Sequence, residues 1–153
     1  MEYPIHAFLR GDGRDGRGRL LTEVLAFDNG RLEAVHDFIQ WLFPLREASR
    51  AVPGSPVMGE DEAAAIRADP KAQDGLRAAL ERMARFYAGT DHWLARFDHN
   101  HLRITRIITA VRDLLGREEA ARFHAGLLAR VGAAGGPVNA ESLRHWERAL
   151  GPA

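Results

Sequence analysis

The sequence predicts an all-α fold: a single compact domain over residues 1–153, with six or seven helices and one proline-rich ordered loop. Three observations carry that prediction. Apolar residues recur at three- and four-residue spacings through most of the chain, the period of a half-buried helix. Extended-strand signals are confined to one short run, YPIHAFLR at 3–10. The periodic segments are bounded by helix caps and breakers, such as Asp69–Pro70 and Asn139 at starts and Gly89 and Gly116 at ends.

After the glycine-rich stretch GDGRDGRG, RLLTEVLAF (19–27) reads as the first helix, ended by DNG. Residues 32–43 read as a second helix, apolar on nearly all sides and therefore central. It stops at Pro44, which cannot continue the backbone bonding. PLREASRAVPGSPVMG holds three prolines together with Leu45, Val52, Val57 and Met58, too apolar to leave in water, so an ordered loop is expected. EDEAAAIRA is a third helix whose acidic first turn suits the helix dipole. Asp69 caps a fourth with Pro70 at its first position, and Leu76, Leu80, Met83 and Tyr87 mark its buried face. HLRITRIITAVRDLLG is the most periodic segment, with Ile104, Ile107, Ile108, Val111, Leu114 and Leu115 on one face. Arg103 falls at the margin of that face, and Arg106 and Asp113 fall toward water. REEAARFHAGLLARV and AESLRHWERAL complete the set, separated by GAAGGP.

Bulk composition narrows the function. Twenty-one basic and twenty-one acidic residues balance, so no electrostatic footprint for nucleic acid is visible. The absence of cysteine excludes disulfides, zinc–thiolate sites and thiol catalysis. MEYPIHAFLRGDG lacks the basic and long apolar regions of a secretion signal. No run of about 18 apolar residues occurs that could span a membrane, so the expected location is cytoplasmic. Lys71 is the only lysine among the basic residues, a bias that suits a GC-rich bacterial genome.

The candidate site begins with polar residues in the apolar second helix. At about 100° per residue, Glu33, His36, Asp37 and Gln40 share the one sector left by the apolar side chains. Buried polar groups need partners, so either they bond one another or they face a ligand. The structural reading is a hydrogen-bond network neutralised by Arg103 or Arg46. The functional reading is a pocket between this helix and the HNHLRITRI helix. There Arg103 and Arg46 would act as carboxylate or phosphate forks, Trp41 as an apolar wall, and Glu33, His36, Gln40, His99, Asn100 and His101 as further contacts. The ligand would be a small anion or a peptide, with no cofactor. The alternative is a metal-dependent hydrolase using His36, Asp37, His99 and His101, since a His-x-His pair plus His36 offers three imidazole ligands. That pattern resembles the HD phosphohydrolases only in part, because their order needs a histidine well upstream and an aspartate well downstream. GDGRDG is a literal G-x-G-x-x-G but lacks the following βαβ unit, so it reads as a surface turn. For DHNH the plain alternative to metal binding is a helix start capped by Asp98 or Asn100.

LEAVHDFIQWLFPLREAS, ADPKAQDGLRAALERMARFY and HNHLRITRI together resemble the conserved domain of the opioid growth factor receptor family, and FLRG is similar to its opening motif. The resemblance runs from about residue 8 to 131. It implies an all-α domain, and its animal members are described as receptors for an enkephalin peptide at the nuclear envelope. No nuclear-localisation run and no repeat-bearing extension stand in this sequence, and no peptide-binding residue is carried over. The leading expectation is therefore a non-catalytic, receptor-like binding domain.

Overall fold

A computed structural model describes residues 3–153, and among them every regular element is a helix. The nine helices of the described residues are α1 (Pro4–Leu9), α2 (Leu21–Leu25), α3 (Asn29–Ala34), α4 (Ile39–Leu42), α5 (Glu60–Ala68), α6 (Pro70–Gly89), α7 (Asn100–Leu114), α8 (Arg117–Ala133) and α9 (Ala140–Leu150). None is long and apolar enough to cross a membrane. The chain divides into two compact units, residues 1–82 and 83–153.

In the first unit α1 packs on α4 and α5, burying Ile5, Phe8, Leu9, Leu42 and Ile66. The sequence signal for 3–10 is extended, and the structure is a helix. Pro4 sits in its first turn with φ already set. The buried Glu62 carboxylate reaches over from α5 to accept the Ile5 and His6 backbone N–H groups, at 2.8 and 3.1 Å. A distant side chain thus caps a helix whose own Tyr3 supplies no cap. Gly75 of α6 meets α1 so closely that a Cβ there would drive into the Leu9 carbonyl oxygen.

The helix expected over 32–43 is broken. α3 ends at Ala34, the next residue Val35 is extended with φ −92° and ψ 132°, and α4 begins only at Ile39. Two side chains take the carbonyls that a continuous helix would use. Gln40 Nε2 donates to the His36 carbonyl at 3.1 Å, and Arg19 Nη2 donates to the Asp37 carbonyl at 3.3 Å. Arg19 and Arg17 also grip the Asp37 carboxylate, each at 2.9 Å. Periodicity points to one helix; long-range hydrogen bonds make two. The GDGRDG stretch is indeed a turn, wound around the buried Asp15, which accepts from the Arg17 and Arg19 backbone and from Arg19 Nε.

The proline-rich loop is tied at its ends and within. Met58 N donates to the Leu45 carbonyl, Ser55 Oγ to the Val52 carbonyl, and Arg46 pairs with Glu60. Met58 is buried as expected, whereas Val57 is 48% exposed.

In the second unit α7 packs against both α8 and α9, and those two touch each other. Ile104, Ile107, Ile108, Val111 and Leu114 form the buried face that their spacing predicted. Asn139 caps α9 by accepting from Ser142 N at 2.7 Å. Arg103 is buried on α7, and Arg106, expected toward water, is largely covered. Burial lowers the Arg106 guanidinium to about 10. The spacing places Arg106 outside the apolar arc, but neighbouring side chains cover that flank too.

Candidate functional site

The break between α3 and α4 removes the helical stripe on which Glu33, His36 and Gln40 were to align. Glu33 is half-buried in the last turn of α3, His36 is exposed in the break, and Gln40 is buried in α4. Trp41 is half-buried, its ring edge-on to Phe8 with centroids 5.6 Å apart. Asp37 is occupied by the two arginines described above, and Arg46 by Glu60.

In the second unit the HNH string starts α7 and ties it down. Asp98 Oδ1 accepts from the Asn100 backbone and from Asn100 Nδ2, both at 2.9 Å, so it holds the start of α7 from the residue before the His99 cap position. Asn100 is fully buried, and its Oδ1 accepts from the Tyr87 hydroxyl at 3.1 Å. His101 is buried with both ring nitrogens engaged. Its Nε2 lies 2.9 Å from the Trp93 carbonyl, which can only accept, so Nε2 carries the proton. Its Nδ1 then receives the Ser142 hydroxyl of α9 at 3.3 Å, and its backbone carbonyl accepts from Trp146 Nε1 at 3.0 Å. His99 is exposed, 3.8 Å from Asp98. Among the described residues no three His, Asp or Glu side chains are grouped to hold a metal ion. A histidine that donates and accepts within the fold is an anchor, and its nitrogens are already used.

An open cleft of about 620 Å³ lies in the first unit, between α1, α5 and the start of α6. Ala7, Ala65 and Ala68 form its apolar wall, and Tyr3, His6, Arg10, Asp12 and Asp69 bring polar groups to it. Asp69 is the hub. Its Oδ2 accepts from His6 Nε2 and Arg10 Nε, each at 2.8 Å, while its Oδ1 caps α6 through Lys71 N at 3.0 Å. The His6 hydrogen bond foremost, with Arg10 behind it, lowers the Asp69 carboxyl to about 2. Arg10 and Lys71 both lean on Asp12 at the rim, Lys71 Nζ at 3.2 Å; those bonds hold the Asp12 carboxyl below its ordinary value. All of this rim is substantially exposed, so its ion pairs exchange partners at small cost. The arrangement can hold a carboxylate or phosphate on two cations beside an aromatic ring and an apolar wall.

Sequence reading did not gather this cluster. Asp69 was legible as a cap, which it is, but its second oxygen serves residues about sixty positions away. His6 and Arg10 stood in a run read as extended. The available signal was the FLRG string, whose arginine is Arg10.

The chain matches the family model described as opioid growth factor receptor conserved region over residues 20–130. It is similar to the opioid growth factor receptor of Rattus norvegicus, 34% identical over 118 residues, an alignment covering 63% of this chain and 20% of that protein. The chain therefore aligns with about a fifth of that relative's length. No solved structure matches it. Asp69 and Lys71 lie inside the region matched by the family model, and His6 and Arg10 precede it.

Proposed function

The chain belongs to the opioid growth factor receptor conserved-region family, and from that premise we propose that it is a non-catalytic binding domain. Its ligand is a small anion or a peptide bearing a carboxylate, seated in the cleft of α1, α5 and α6. One observation carries the reading: Arg10 and Lys71 share the exposed Asp12 at the rim, while Asp69 stays ionised beneath them. An incoming carboxylate displaces Asp12 from two cations without exposing a buried charge. Asp69, ionised and bonded on both oxygens, fixes His6 and Arg10 in place, so the site is organised before the ligand arrives. The relative's name, a receptor for opioid growth factor, supports a peptide as the occupant.

Isothermal titration of the full chain with opioid growth factor peptide, and separately with inorganic phosphate, tests this. The expected result is saturable binding of at least one of them, weakened about tenfold or more in an Arg10→Ala, Lys71→Ala double variant that still melts cooperatively. Binding unchanged in that variant, or no binding of either probe, contradicts it.

A further inference from the structure

The second unit carries a separate concavity, which the cleft of the first unit does not explain and on which this inference does not depend. Residues 84–88 of α6 and 122–130 of α8 flank a groove of about 170 Å³, room for one large aliphatic side chain. Its floor is apolar, built of Tyr87, Phe123 and Leu127. Its walls are low because Ala84 and Ala88 stand on one side and Gly126 on the other. We propose that this groove is a docking site for an acidic amphipathic helix of a partner protein, one leucine-sized side chain in the groove and carboxylates at either end.

Gly126 supplies the first argument. It lies inside a 17-residue helix, where glycine is the least favourable residue short of proline. Nothing in this chain requires it, because a Cβ there would meet no atom within 4 Å. The low wall it leaves beside the groove lets a partner helix approach closely. Charge supplies the second argument. Arg122, Gly126 and Arg130 fall at four-residue intervals on one stripe of α8, which sets the backbone positions of the two arginines about 12 Å apart along the helix axis. Arg130 is held in place through Nη2 to the Thr90 carbonyl at 2.8 Å. Arg122 pairs with the exposed Glu118, at 3.3 Å, a contact readily exchanged for a partner's carboxylate. Two cations flanking an apolar slot select an acidic occupant over a basic one.

The test uses a fluorescein-labelled helical peptide with a central leucine and a glutamate one turn to either side, and its twin with lysines. Anisotropy with the full chain is expected to show binding of the glutamate peptide, with the lysine twin at least about tenfold weaker. Gly126→Leu fills the slot while favouring the helix, so it should abolish binding and leave the melting temperature unchanged or raised. Arg122→Glu should weaken the glutamate peptide and strengthen its twin. Equal binding of the two peptides overturns the proposal. So does undiminished binding by Gly126→Leu, or no binding of the glutamate peptide.

Discussion

The two units are stabilised in different ways. In the second, helices of 15, 17 and 11 residues lay continuous apolar faces on one another, and polar side chains such as His101 and Asn100 add anchors at the ends. In the first, apart from α6, the helices run four to nine residues, too short to hold themselves. Polar side chains from far along the chain complete them. Glu62 caps α1, Arg19 closes the break before α4, and Arg82 donates to the Phe27 carbonyl at 2.8 Å where α2 gives way to α3. Burial dominates where elements are long. Where they are short, side-chain bonds to backbone decide which turns exist.

Substitutions sharpen the contrast. Trp146→Ala should cost most, about 3–5 kcal/mol, because it empties a fully buried indole site and removes one of the donors to the His101 carbonyl, leaving it to Thr105. Urea melts would show it as a fall in midpoint, and a loss below about 1 kcal/mol would break the account of the second unit. Gly75→Ala should cost about 3 kcal/mol, since the new methyl group meets the rigid Leu9 carbonyl rather than a flexible side chain. A neutral result in the same melts would mean that α1 and α6 separate freely.

Glu62→Ala should cost about 1–3 kcal/mol, the penalty of leaving the Ile5 and His6 N–H groups without an acceptor. Hydrogen exchange would then quicken at the start of α1 while α7 keeps its protection. Exchange that quickens equally in both would erase the distinction between the units. The smallest effect is set by pH. The Asp69 carboxyl is lowered from 3.8 to about 2 in the folded chain, so its contribution is present above about pH 4 and is lost as pH falls toward 2. Asp69→Asn should flatten the acid limb of a stability–pH curve over that window. An unchanged slope between pH 4 and 2 would show that Asp69 is not held ionised by His6 and Arg10.

How much was legible in the sequence divides along the same line. The faces of α6 and α7, except Leu80 and Leu115, which are only half-buried, and the Asn139 cap were readable, because a long helix repeats its burial pattern several times. The helix start at DHNH was readable, while the use of His101 by Trp93 and Ser142 was not. The residues 3–10 and 32–43 were misread because their conformation is fixed by Glu62, Gln40 and Arg19 rather than by spacing. The cleft shares that fate. His6, Arg10 and Asp69 meet only once α1 is a helix, and no local signal made it one.

The central claim is that ligand enters the first unit at the Arg10 and Lys71 rim. Amide chemical-shift mapping during titration with opioid growth factor peptide tests it most directly. Saturable shifts are expected to concentrate at His6, Arg10, Asp12 and Lys71, with α7 silent. Shifts that avoid those four residues and gather at Trp41, Arg46 or the HNH string would contradict it.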